Sequence, residues 1–294
     1  MINFLKYKNA CILFSFILIG TGAVAYFVQG GFKYAIDFSG GAEINISFEK
    51  SIDIGVLRTA ISSQGWQDSV IQSVGKDGKN FIVKLGGVTV EGLEEKFRNA
   101  VDAATPGNTM TVTHIDWIGA EVGKDMKKNA IIAILLSLLA ILIYVAIRSR
   151  YAYGIGAVVA LCHDMLAVLV IILLFKEPMS LSVLAAILAI LGYSINDTIV
   201  IFSRIRENVK KMKDHSLNDI VTTSINQTLR RTLLTSFSTL LSVTAFYFLG
   251  GEALRGFSFV MMAGIIFGTY SSIYIASPVM IYLENRTASK KEVY

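Results

Sequence analysis

Six long apolar stretches divide the chain, at residues 10–28, 130–147, 153–175, 181–202, 233–249 and 257–283. A helix of about 20 predominantly apolar residues crosses the roughly 30 Å of bilayer hydrocarbon. The pattern therefore predicts an α-helical polytopic membrane protein with six transmembrane helices. Between the first and second stretches the chain turns polar over about 100 residues, the size of a small domain. The other connections are short.

Inside that polar segment the period changes from continuous to alternating. Ile44, Ile46 and Phe48 alternate with Glu43, Asn45 and Ser47, as in a strand with one buried face. Ile54, Val56, Leu57 and Ile61 then recur at helical spacing. Strands follow at 70–74 and 81–85, around the turn Lys76-Asp77-Gly78-Lys79. A helix over 90–103 carries Leu93, Phe97 and Val101 four apart and stops at Pro106-Gly107, before a last strand at 109–115. The order β-α-β-β-α-β predicts a ferredoxin-like α+β domain. It holds no metal-spaced cluster, and His114 stands alone, so it reads as a binding or lever domain with no catalytic role.

Composition agrees with a membrane assignment. The 294 residues are 53% hydrophobic and only 17% charged, with mean hydropathy +0.58, too apolar for a soluble domain of this size. Cys11 and Cys162 lie in apolar runs and read as buried thiols. The net charge of +5 matters less than its distribution. Lys6, Lys8, Arg148, Arg150, Arg204, Arg206, Lys210, Lys211, Lys213, Arg230, Arg231, Arg286, Lys290 and Lys291 collect on one side, against Lys176 and Arg255 in the opposite short loops. Basic residues mark the cytoplasmic side, which predicts cytoplasmic termini and an exported domain. The divisions are a first helix (1–28), the domain (29–128), helices two to six (129–283) and a cytoplasmic tail (284–294). A cleaved export signal ending at Ala23-Val24-Ala25 competes for the first stretch, but the apolar run continues through Val28 and favours a retained anchor.

Within 204–229, Leu217, Ile220, Val221, Ser224 and Ile225 form one apolar face behind a capping box at Ser216 and Asp219. This predicts an amphipathic helix on the lipid surface, with nucleic-acid binding as the weaker use of the basic residues. Residues 119–125 imitate a phosphate loop but have three residues between the glycines, and Asp125 stands where Ser or Thr would hold magnesium. No nucleotide site follows.

Ionisable groups at membrane depth are costly and therefore candidates for function. Asp164 sits near the centre of the third helix, and Asp197 in the cytoplasmic half of the fourth. Tyr193 and Arg204, four before and seven after Asp197, share its face, and Asn196 adjoins it. A proton relay is one reading; hydrogen-bonded glue between helices is the other. A metal at His163–Asp164 is disfavoured, because adjacent helical residues point about 100° apart. The fifth helix carries Thr228, Thr232, Thr235, Thr239 and Ser242 on one face, either a hydroxyl-lined path or packing. In the sixth, Gly264, Gly268 and Ser272 form a small-residue packing face.

Several of these segments resemble the SecD/SecF family of export proteins. Ile36-Asp37-Phe38-Ser39-Gly40-Gly41 is similar to its Asp-Phe-x-Gly-Gly signature, on Asp37, Phe38, Gly40 and Gly41. Residues 117–123 resemble the segment before the second helix, with Ala120 where the family usually has proline. Residues 192–198 with Arg204-Ile205-Arg206-Glu207 point to the SecF branch, and 227–232 and 271–274 also fit. The resemblance covers nearly the whole chain and places it in the resistance-nodulation-division superfamily. It implies a SecD partner, association with the SecYEG channel in the bacterial inner membrane, and work on a translocating preprotein. It implies protons as the coupling ion, with no other cofactor, and Asp164 and Asp197 as proton-path candidates with Arg204 as a possible partner. The alternatives are a related transporter of a lipid or small molecule, and a passive scaffold of the translocon.

Overall fold

The computed structural model describes residues 1–294 except 68, 76, 89–91, 149–150 and 292–294, with backbone alone at 146, 148, 252–253 and 288–291. Lys76 of the expected turn, Val90 at the expected helix start, Arg150 and the end of the tail lie outside the described residues, as do the side chains of Arg148, Lys290 and Lys291.

Among the described residues, six helical segments are long and apolar enough to span a membrane: Phe4–Gln29, Ala120–Val145, Tyr151–Leu174, Leu181–Lys211, Leu217–Leu249 and Leu254–Thr287. They comprise α1 (Lys8–Gln29), α5 (Ala120–Arg148), α6 (Tyr151–Leu174), α7 (Leu181–Lys211) and α8 (Leu217–Leu249). The sixth joins α9 (Glu252–Ser271), a π-helical turn (Ser272–Ala276) and α10 (Ser277–Lys291). The spans are not equal partners. In α6, α7 and the sixth, 56% of the apolar window is buried, against 6% in α5 and 11% in the first. The bundle's centre is therefore α6, α7 and the sixth span. Gly264 and Gly268 give the approach its closeness: a Cβ on Gly264 would fall 2.2 Å from the Ile190 side chain, and one on Gly268 3.1 Å from that of Ser194.

Between α1 and α5 lie α2 (Ile36–Ser39), β1 (Gly41–Phe48), α3 (Ile54–Ser63), β2 (Val70–Val74), β3 (Asn80–Gly86), α4 (Leu93–Ala104) and β4 (Met110–Ile118). The sheet order β2-β3-β1-β4 is antiparallel throughout, the ferredoxin-like arrangement that the alternation predicts. Ile44, Ile46, Leu57, Ile61, Phe81, Val83, Phe97 and Val101 share its core. β4 runs three residues further than expected, carrying Trp117 and Ile118 to the start of α5.

The expected surface helix is corrected. At 1.5 Å per residue, α7 and α8 are about 46 and 50 Å long, so both project well past the hydrocarbon. The amphipathic segment is the first part of α8. Its face of Ile220, Val221 and Ile225 packs into the bundle core with Phe4, Phe202 and Ile205, not onto lipid. Asn208 reinforces the pairing by donating to Ser224 Oγ and Gln227 Oε1, both at 2.8 Å. Ser216 caps α8: its Oγ accepts from the Asp219 amide at 3.2 Å, and the Asp219 carboxylate accepts from that hydroxyl at 2.6 Å in place of the Ser216 amide of a full capping box.

Candidate functional site in the helical bundle

The buried-helix core brings two carboxylates inside the bundle, each with its own hydrogen-bond network. Asp164 on α6 is fully buried and Asp197 on α7 is 4% exposed. Such burial is tolerable only where the polar atoms find partners.

Asp164 is saturated. Its Oδ2 accepts from Ser194 Oγ on α7 and from Ser271 Oγ on α9 at 2.8 Å, and its Oδ1 meets His163 Nδ1 at 3.1 Å. The neighbouring residues do touch, although their side chains leave the helix about 100° apart. His163 Nε2 lies 2.9 Å from Ser15 Oγ, which lies 3.1 Å from the Tyr270 hydroxyl. Tyr270 donates to the Cys11 carbonyl at 2.6 Å. One network thus ties α1, α6, α7 and α9.

Asp197 is held far more loosely. Among the described residues its hydrogen bond is a long one, 3.5 Å from Ser236 Oγ on α8. Ser236 is closer to Thr269 Oγ1, at 2.7 Å, and receives the Tyr193 hydroxyl at 3.5 Å. The Thr232 hydroxyl beside this cluster is buried without a hydrogen-bond partner among the described residues.

The expected residues divide accordingly. Tyr193 joins the Asp197 cluster through Ser236. Asn196 is exposed on the opposite side of α7 and does not join. Arg204 does not reach Asp197: it pairs with Glu207 one turn on and donates to Gln227 Oε1 at 2.7 Å. Seven residues are two turns, a rise of about 10 Å, too far for the carboxylate. Of the hydroxyl stripe on α8, Thr228 and Thr232 are buried, Thr239 is half-buried, and Thr235 and Ser242 are exposed. Thr228, Thr235, Thr239 and Ser242 donate to carbonyls of their own helix. The buried hydroxyl face is instead Thr228, Thr232 and Ser236, successive steps of four, and of these Ser236 is the one that meets Asp197.

The sequence reading missed Ser15, Ser194, Ser236, Thr269, Tyr270 and Ser271, and gave His163 no role. Ser194 and Ser271 stood inside two segments already singled out, three residues from Asp197 and from Gly268. Small hydroxyls in apolar helices are common, however, and only the packing shows which face a carboxylate.

A second constellation lies where the α+β domain meets the bundle. Asp37 Oδ2 accepts the Leu181 amide at 3.0 Å, satisfying a free N–H at the start of α7. Ala35 N donates to Met179 O at 2.8 Å and Met179 N to Lys33 O at 2.9 Å. Phe38 is buried. Gly40 has φ +74°, and a Cβ there would fall 2.7 Å from Ala120 Cα; a Cβ on Gly123 would fall 2.9 Å from Gly40 N. The two glycine-containing segments, 36–41 and 117–123, are thus one joint. Ala120 opens α5, a position where proline fits equally well, which accounts for the departure from the family pattern.

These motifs are shared. A family model described as "Protein export membrane protein SecD/SecF, C-terminal" matches residues 98–286. The protein translocase subunit SecF of Pseudomonas aeruginosa is 37% identical over 96% of this chain and 91% of its own length. The chain belongs to the SecF family. The SecF subunit of Desulfurispirillum indicum is 38% identical over 97% of this chain and 92% of its own. The crystal structure of SecDF from Thermus thermophilus, described as a translocon-associated membrane protein, superimposes with a TM-score of 0.81 at 35% identity. It covers 97% of this chain, which spans 39% of that longer one. A second SecDF structure, in a "Super-membrane-facing form", gives a TM-score of 0.76 at 34% identity. This SecF-family chain is a multi-pass protein translocase subunit with the SecDF fold.

Proposed function

We propose that this chain works with a SecD partner beside the SecYEG channel, using the proton-motive force to promote preprotein translocation and release. It sits in the bacterial inner membrane with both termini cytoplasmic and the α+β domain periplasmic. The excess of Lys and Arg on the side of the termini supports that orientation. Protons are the coupling ion.

One observation carries the reading: Asp197 is buried in the bundle with a single long hydrogen bond among the described residues. A carboxylate so weakly satisfied gains more from protonation or a change of surroundings than a saturated one does. Tyr193, Ser236, Thr269 and the buried Thr232 hydroxyl supply groups that can rotate to follow its charge. The helix that carries Asp197 begins at the Asp37 contact with the α+β domain, so a shift of α7 is felt there. The saturated bonding of Asp164 favours a second reading for that position, a fastener in a passive scaffold.

Preprotein export in cells carrying Asp197→Asn or Asp164→Asn, with membrane insertion and SecD capture checked by pull-down, tests the proposal. Lost export with assembly intact is expected for Asp197→Asn. Normal export in both variants would overturn proton coupling and leave the scaffold.

A further inference from the structure

The hydrogen atoms around His163 can be counted, and the count has one solution. Four contacts run in series: Asp164 Oδ1 to His163 Nδ1, Nε2 to Ser15 Oγ, Ser15 Oγ to the Tyr270 hydroxyl, and Tyr270 to the Cys11 carbonyl. A carbonyl only accepts, so Tyr270 spends its hydrogen on Cys11. Ser15 must then donate to Tyr270, and Nε2 must donate to Ser15. A neutral imidazole has one N–H, now used, so the contact between Nδ1 and Oδ1 needs one hydrogen more. Oδ2 already receives the hydroxyls of Ser194 and Ser271, the latter also 3.2 Å from the Gly268 carbonyl. The extra hydrogen therefore lies between Oδ1 and Nδ1.

We infer that Asp164 and His163 form a proton-binding pair holding one shared proton, and that this proton sustains the Ser15 hydrogen bond from α1 to Tyr270 of the sixth span. With the proton bound, either on Oδ1 or on Nδ1, all four contacts are hydrogen bonds. When a base takes it, Nδ1–H turns to the carboxylate and Nε2 is left bare. Ser15 then donates to Nε2, and the contact between Ser15 and Tyr270 has no hydrogen. Of the two bonds from α1 to Tyr270, the one from Ser15 is then lost, while the bond to the Cys11 carbonyl and the link from α1 to α6 remain. The π-helical turn Ser272–Ala276 follows Tyr270 directly, and such turns are places where a helix can change register locally. The groups packed around the pair are Ser15 and the Cys11 backbone from α1, Tyr270 and Ser271 from α9, and Ser194 from α7, with Asp197 about one turn beyond. Tyr274 of the π turn stacks on Tyr270, ring centroids 5.3 Å apart. A buried pair holding a proton at a joint between helices is a device for converting proton occupancy into helix position. Its use in export rests on the proton-coupled function above; the presence of the proton does not.

The test is the tautomer of His163, read by ¹⁵N solid-state NMR of the full-length protein in lipid bilayers near neutral pH. His114→Gln and His215→Gln, both at exposed positions outside the spans, leave His163 as the one reporter. The expected spectrum shows hydrogen on Nε2, with Nδ1 either protonated or accepting a hydrogen bond. A neutral ring with hydrogen on Nδ1 and a bare Nε2 would overturn the inference. Tyr270→Phe removes the acceptor for Ser15, so the count no longer requires the extra proton, and the ring is expected to switch to the Nδ1–H form. Ser15→Ala serves where the phenylalanine variant does not insert, with the same expected switch. A tautomer unmoved by either substitution would also overturn it. The tautomer is read without export, so an inactive motor cannot imitate a wrong proton count.

Discussion

At the scale of residues, the difference between the two carboxylates is a matter of partners. Asp164 receives three close contacts, and Asp197 receives one long one. The hydroxyl that matters most for Asp197 is Ser236, which also contacts Tyr193 and Thr269. Ser236→Ala is expected to reduce export several-fold while the protein still inserts, whereas Ser242→Ala, on the exposed face of α8, is expected to leave export unchanged. A quantitative export assay on the two variants decides it; equal effects would refute the assignment of the inward face. The sequence showed that α8 has a polar face but not which edge of it turns inward. Steps of four advance by 40° and steps of three fall back by 60°. A stripe built from both therefore spreads across an arc wide enough for Thr235 and Ser242 to leave the interface. Asp164 and Asp197 themselves were legible because charge at membrane depth has few explanations. His163 was not, because its partners Ser15 and Tyr270 lie 148 and 107 positions away.

At the scale of elements, the four-residue helix α2 is the joint between domain and bundle. It leads directly into β1, packs on the start of α5 through Gly40 and Gly123, and caps α7 through Asp37. Asp37→Ala is expected to cost about 1 kcal/mol, the usual worth of a helix N-terminal cap. It is also expected to speed amide exchange at Leu181 about fivefold, measurable by hydrogen–deuterium exchange; unchanged exchange would show that the cap carries no load. Gly40→Ala is harsher. It places a Cβ against the backbone of Ala120 at a positive φ and is expected to destabilise by about 1–3 kcal/mol. Gly20→Ala, with nothing within 4 Å, is the neutral control in a thermal melt. The domain's six elements could be read from the sequence because alternation and four-residue spacing are local signals. The joint could not, since Asp37 and Leu181 are 144 residues apart. The start of α8 was misread for a related reason: an amphipathic face declares that it needs an apolar partner, not whether lipid or protein supplies it.

At the scale of the whole molecule, the proposed function requires the energy of a proton to match the strength of the joint. A charge crossing 100 mV releases about 2.3 kcal/mol. The three hydrogen bonds that join Lys33, Ala35 and Asp37 to Met179 and to Leu181 at the start of α7 are worth about 1 kcal/mol each. On the proposed function, about two protons at 100 mV match the energy of this contact. The six apolar spans and the place of the domain between the first two were legible from hydropathy, because a run of about 20 apolar residues matches the thickness of the bilayer hydrocarbon. The measurement that tests the central claim most directly is preprotein export in cells carrying wild-type or Asp197→Asn protein, each with and without collapse of the proton-motive force. The account predicts that collapse removes the wild-type protein's stimulation of export, and that the variant already sits at that lower level and loses nothing further. If the variant keeps its stimulation and loses it on collapse just as the wild type does, the protein is still driven by the proton-motive force but Asp197 is not the coupling group, and the central claim is contradicted.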